Sequence, residues 1–152
     1  MTVPEYKQYI RDYFGKNASQ VLAEYPAKKP EEVPHQMARI ITAFDFDGST
    51  RVTAGSMANL NQCTYLYRFT YVLPGQPNGA FHGSELPFVF RPSFLKPDPV
   101  SSNVSDNMMD LWVRFAKTGN PNGGKNVTWP NYNAETDQYL DIGVVPVVKT
   151  GY

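Results

Sequence analysis

A chain of 152 residues can bury one ordinary core, and its 14 Lys+Arg against 14 Asp+Glu leave no net formal charge. The basic residues are scattered, which removes the electrostatic basis for binding nucleic acid or anionic lipid and favours a small neutral or mixed ligand. Cys63 is the single cysteine, so an intrachain disulfide and a cysteine-built metal site are both excluded. Met1 leads directly into a polar helix start, without basic region, apolar run or cleavage site, and no later run is long enough to span a bilayer. The chain is therefore expected to be soluble, with no targeting segment. Asn17-Ala-Ser, Asn103-Val-Ser and Asn126-Val-Thr match the glycosylation pattern, but an Asn-rich chain yields such triplets by chance.

The first helix is predicted from Thr2, which can cap, through Pro4 in the first turn and Glu5 closing a capping box. Tyr6, Tyr9, Ile10, Tyr13 and Phe14 form its apolar stripe, and Gly15 stops it. A second short helix is expected over residues 18–25, ending before Pro26. Residues 28–34 read as a polar joint, and a third helix follows from about Pro34, with Met37, Ile40, Ile41 and Phe44 at helical spacing. After Gly48 a further helix is expected from about Ser49 to Asn61.

Residues 65–72 form a strand-like run, and Pro74, Gly75, Pro77, Asn78 and Gly79 make the next loop turn-rich. From Ser105 the chain is expected to turn helical again, with Met108, Met109, Leu111, Trp112 and Phe115 on a core-facing side and Gly119-Asn-Pro121 ending it. Residues 122–133 read as a polar loop containing Trp129-Pro130, followed by short strands over residues 138–142 and 144–148. Helices dominate, about three strands are expected, and so few strands cover too little apolar helix surface. The chain reads as the tail of something larger.

The loop after the first strand holds Gly79-Ala-Phe-His82-Gly-Ser84-Glu85-Leu-Pro-Phe-Val-Phe90. A histidine acting as a base must turn freely, be held through one ring nitrogen and meet substrate with the other, and neighbouring glycines leave room for this. Loops beyond strand ends are where open α/β sheets carry their chemistry. On the residues alone, a solvated or capping histidine fits the same position.

Together with Tyr65-Leu-Tyr67-Arg-Phe69, Leu111-Trp112-Val-Arg-Phe115-Ala-Lys-Thr-Gly119-Asn-Pro121 and Trp129-Pro130-Asn-Tyr132, this segment resembles the C-terminal part of the type-B carboxylesterases. That family includes the para-nitrobenzyl esterases, vertebrate carboxylesterases and cholinesterases, and the resemblance runs from about Thr2 to Ile142. It implies an α/β class, specifically the C-terminal portion of an α/β-hydrolase fold, helix-rich with few strands, with residues 1–152 one incomplete domain. It implies that His82 is the catalytic histidine, relaying a proton between nucleophile and leaving alcohol. Glu85 would be a supporting carboxylate beside the triad, although a surface or capping role suits it too. Ser84 would line the alcohol side of the substrate pocket, or be a simple loop serine. Trp112, Phe115 and Trp129 would pack. The substrate would be a small carboxylic ester, with no cofactor and no metal.

In this fold the triad follows the order Ser, acid, His, with the serine on a strained elbow between small residues. No Gly-x-Ser-x-Gly occurs, and Ser19, Ser49, Ser56, Ser84, Ser93, Ser101, Ser102 and Ser105 all lack that setting. The family's acid would fall near or upstream of Met1. A base without its nucleophile forms no acyl-enzyme, so the chain alone is expected to be inactive. Two alternatives belong to other classes. One is a non-catalytic module that associates with itself through exposed apolar helix faces. The other is a magnesium-dependent phosphatase resembling the haloacid dehalogenases, with Asp45 and Asp47 delivered by a buried strand over Ile40-Ile-Thr-Ala-Phe-Asp45-Phe-Asp47-Gly.

Overall fold

The computed structural model describes residues 1–60, 63–76, 79–92, 98–125 and 127–151. Asn61 of the fourth predicted helix, Pro77 and Asn78 of the turn-rich loop, Ser93, and Asn126 of the last glycosylation triplet lie outside them. The chain divides into two compact units, Met1–Val52 and Thr53–Tyr152.

In the first unit, α1 (Val3–Phe14) begins with the expected capping box. The Thr2 hydroxyl accepts from the Glu5 N–H, and the Glu5 carboxylate accepts from the Thr2 N–H at 2.7 Å. These bonds hold the Glu5 carboxyl below its ordinary value. Gly15 ends the helix, and a single tight turn leads into α2 (Ala18–Glu24). A second such turn, Pro30–Glu32, occupies the polar joint and opens α3 (Val33–Ile41). Of the α1 stripe, Tyr6 and Ile10 are fully buried, whereas Tyr9 and Tyr13 are exposed and stack on one another at 5.9 Å. Tyr6 and Ile10 meet Ala18, Val21, Ala27, Val33 and Ile40 in a small core. The Tyr6 hydroxyl donates to the Tyr25 carbonyl at 2.6 Å, which satisfies the one polar atom that this burial brings inside.

The third and fourth expected helices are not separate. Thr42–Gly48 continues as a widened, π-helical turn into α4 (Ser49–Asn59), and the boundary between the units falls inside α4. A Cβ on residue 48 would lie 3.3 Å from the Ala43 carbonyl oxygen, a tight contact that a larger residue could make only if that carbonyl shifted by a few tenths of an ångström. The Ser49 hydroxyl then donates to the Asp45 carbonyl at 2.7 Å and the Phe46 carbonyl at 3.1 Å. This corrects the phosphatase alternative, because the buried strand it requires is helix and Asp45 is exposed on it.

The second unit is built on a three-stranded sheet in the order β1-β2-β3, formed by β1 (Tyr67–Phe69), β2 (Gln138–Ile142) and β3 (Pro146–Thr150). β1 runs parallel to β2, pairing Tyr67 with Leu140 and Phe69 with Ile142, and β3 returns antiparallel from Ile142 opposite Pro146. Period-two alternation splits central β2 between two environments. Leu140 and Ile142 join Tyr71, Phe88, Val104, Met108, Leu111 and Trp129, while Tyr139 packs with Ala54, Leu66 and Tyr132. Asp141, buried, accepts from the Thr70 hydroxyl and pairs with Lys149 across the hairpin, which holds the Lys149 ammonium above its ordinary value.

Several predicted boundaries shift. The run expected over residues 65–72 shortens to β1, because the Thr70 and Tyr71 N–H groups both turn to the single Ile142 carbonyl, at 2.9 and 3.2 Å. β3 starts at Pro146 rather than Val144, since Val144 and Val145 form the exposed reversal. A short helix, α5 (Leu86–Phe90), was not expected. The helix expected from Ser105 is α6 (Pro99–Thr118), which starts six residues earlier. The Asp98 carboxylate accepts from the N–H groups of Val100 and Ser101 at 2.9 and 3.1 Å, and Pro99 occupies the first turn. No helix of the described residues is long and apolar enough to cross a membrane.

Replacing Leu140, which has no exposed surface, by Ala is expected to lower the stability of the second unit by about 2–5 kcal/mol, read from denaturant midpoints at unchanged slope. The Ser101 hydroxyl, followed by the Ser101 and Val100 N–H groups, holds the Asp98 carboxyl below its ordinary value. A carboxyl lowered by folding adds stability above its unfolded value, and that stability is lost as pH falls through the folded one. Asp98→Asn should therefore flatten the acid side of the Tm-versus-pH curve below about pH 4, checked by thermal melts in a buffer series.

Candidate active site

The parallel ladder carries β1 to Phe69, and the chain leaves the sheet after Tyr71. The loop holding His82 lies between β1 and α5. The far side of that loop is fixed by α5, which is tied to α6. Phe88 is buried, with its ring 5.3 Å from Phe69 and 5.4 Å from Tyr71, and the Ser105 hydroxyl donates to the Phe88 carbonyl at 2.7 Å. The Tyr71 hydroxyl meets the Ser101 hydroxyl at 2.9 Å, and Ser101 donates to the Asp98 carboxylate at 2.6 Å. Arg91, just past α5, pairs with Asp106 of α6. The loop is thus held on one side by strand and on the other by a helix locked through an aromatic side chain and buried serines.

Within the loop, residues 81–84 form a closed turn. The Ser84 N–H donates to the Phe81 carbonyl at 2.9 Å, and Gly83 occupies the third position with φ +83°. That positive φ makes the third position of such a turn a glycine position. His82, in the second position, is exposed, in the connection that leads from β1 to α5, and connections that follow strand ends are where open α/β sheets carry ligand sites. Ser84 is half-buried, and its hydroxyl accepts from the Phe81 N–H at 3.2 Å.

Glu85, half-buried at the head of α5, makes no side-chain cap bond to that helix. Its carboxylate instead acts on Tyr67. Burial pushes the Tyr67 hydroxyl up, and the Glu85 charge raises it further. Tyr67 packs edge-on against Trp112 at 5.0 Å and Trp129 at 6.1 Å. The sequence places His82, Ser84 and Glu85 together because they are nearly consecutive. That the Glu85 charge is felt at Tyr67 of β1 is a long-range effect, which alternation within the strand-like run does not announce.

Beneath this face, the loop expected to be merely polar is built around Trp129. Its indole N–H donates to the Leu66 carbonyl at 2.9 Å, and the same carbonyl accepts from the Leu140 N–H at 2.9 Å. The Asn122 side-chain amide clamps the Trp129 backbone, accepting from its N–H at 2.7 Å and donating to its carbonyl at 2.9 Å. An apolar cleft of about 280 Å³ lies alongside, lined by Cys63, Tyr65, Trp112, Phe115 and Trp129 among others. Among the described residues no group of three or more His, Cys, Asp or Glu side chains could hold a metal ion.

The family model described as the carboxylesterase family matches residues 2–152. Carboxylesterase 4A of Bos taurus is 44% identical over 87 residues, which cover 51% of this chain and 15% of that protein. Fumonisin B1 esterase of Sphingopyxis macrogoltabida is 31% identical over 144 residues, covering 86% of this chain and 26% of that protein. A solved PNB esterase aligns with a TM-score of 0.75 at 24% identity over 99% of this chain and 31% of its own. The chain thus spans under a third of the length of the proteins it matches. With a parallel strand pair, crossover helices and a loop at the strand's carboxyl end already in place, it belongs to the carboxylesterase family and adopts a helix-rich, few-stranded portion of the α/β-hydrolase fold.

Proposed function

We propose that this chain is the C-terminal piece, one incomplete domain, of a carboxylic-ester hydrolase, and that His82 is its proton relay. The observation that carries this reading is an exposed imidazole at the second position of a closed turn in the connection that leads from a parallel strand to the next helix. In such an enzyme the histidine accepts the serine Oγ–H proton as that oxygen attacks the ester carbonyl. It then gives the proton to the departing alkoxide, and repeats the exchange with water to release the acid. No cofactor enters these steps. The serine and the acid come from chain outside these 152 residues, so the chain alone performs no acyl transfer. Glu85 supports the site as a carboxylate three residues after the relay, its charge felt at Tyr67. Among the described residues β1 has a ladder partner on one side only, which suits an incomplete sheet.

Purified chain is expected to leave p-nitrophenyl acetate unhydrolysed. Placed in a PNB esterase in exchange for the matching portion, it is expected to support hydrolysis that His82→Ala lowers by about 10⁴-fold or more. Turnover by the chain alone that disappears with His82→Ala would overturn the claim of inactivity, and an unaffected His82→Ala hybrid would overturn the assignment.

A second reading, self-association, is favoured by exposed apolar side chains in the second unit, with Phe90 74%, Val145 67% and Phe81 61% accessible. Light scattering at micromolar concentration should then give a mass above 17.1 kDa, and a monomer that binds no hydrophobic dye would count against it.

A further inference from the structure

We propose that Ser84 is a positioning residue for His82, acting through the turn rather than on the substrate. The inference rests on the reading of His82 as the proton relay. Two bonds join residues 81 and 84 around the histidine: Ser84 N–H to the Phe81 carbonyl at 2.9 Å, and Phe81 N–H to the Ser84 hydroxyl at 3.2 Å. The first closes an ordinary turn, and the second laces it from the other side. The backbone carrying the imidazole is therefore fixed at both ends of a four-residue loop.

The lace connects onward to the packed core. The Leu86 N–H donates to the Gly83 carbonyl at 3.2 Å and the Phe88 N–H to the Glu85 carbonyl at 2.9 Å, so the turn passes without slack into α5. Phe88 of α5 is 2% exposed, and its carbonyl is held by Ser105. His82, itself exposed, has its backbone direction set by the turn beneath it. A side-chain oxygen one carbon from the backbone, as in Ser or Thr, can close this lace, and Ala cannot. Since a small misplacement of a reacting group can cost about 10²-fold in rate, loosening the turn should be felt in kcat.

The test has two arms. In the 152-residue chain, amide exchange of Phe81 followed by NMR should accelerate about threefold to tenfold in Ser84→Ala and stay near wild type in Ser84→Thr. In the hybrid esterase, Ser84→Ala should lower kcat about 10–100-fold with KM little changed, and Ser84→Thr should restore it. Unaltered Phe81 exchange in Ser84→Ala overturns the proposal, and this arm needs no assembled enzyme. A change confined to KM also overturns it, because Ser84 would then be acting on the substrate. If His82→Ala abolishes hydrolysis while Ser84→Ala leaves both exchange and kcat intact, the positioning role fails and the relay stands. If His82→Ala leaves the hybrid active, the relay itself fails.

Discussion

The parallel pairing of Tyr67–Phe69 with Leu140–Ile142 is the constraint on which the second unit is built. Parallel neighbours cannot be joined by a tight reversal, so the intervening chain must travel back to the far end of the sheet, and α5 and α6 lie on that path. Those helices bury one face of β2, leaving Tyr139 and Asp141 to the other. The ladder ends where a single carbonyl, that of Ile142, accepts from two successive N–H groups. Beyond that point the backbone is free of the sheet, and the histidine loop begins.

Polar groups, more than hydrophobic area, give this unit its definition. Ser101 and Ser105 are almost without exposed surface, and each is satisfied, one by Tyr71 and Asp98, the other by the Phe88 carbonyl. Leaving either buried hydroxyl unpaired would cost about 1–3 kcal/mol, so the helix can dock in few other ways. Trp129 is defined in the same manner by Leu66 and Asn122. The aromatic rings of Tyr65, Tyr67 and Trp112 pack at 5.6–6.1 Å around it, mostly edge to face.

This is also why parts of the fold are legible in the sequence and parts are not. α1 announces itself through Thr2, Pro4, Glu5 and Gly15, all local signals, and the structure uses each of them. The start of α6 hides because its first buried turns present Ser101 and Ser105, which hydropathy patterning counts as surface. α5 is too short to show a period. Val144 and Val145 look like strand but form a reversal, since the pairing of Ile142 with Pro146 is decided across the hairpin. At Gly48 a residue that usually ends helices instead accommodates a widened one. The site residues His82, Ser84 and Glu85 can be named from the sequence because they are nearly contiguous, and the bond that laces the turn is also local, joining residues three apart, whereas the effect of the Glu85 charge on Tyr67 depends on how the chain folds back.

The chain's two tryptophans, Trp112 and Trp129, lie 5.8 Å apart in the second unit. Indole emission is therefore a gauge of residues 53–152 alone, blind to the small helical core built on Tyr6 and Ile10. Far-ultraviolet ellipticity samples the helices of both units. Comparing the two signals along one melting curve separates a molecule that comes apart as a whole from one that loses its halves in turn.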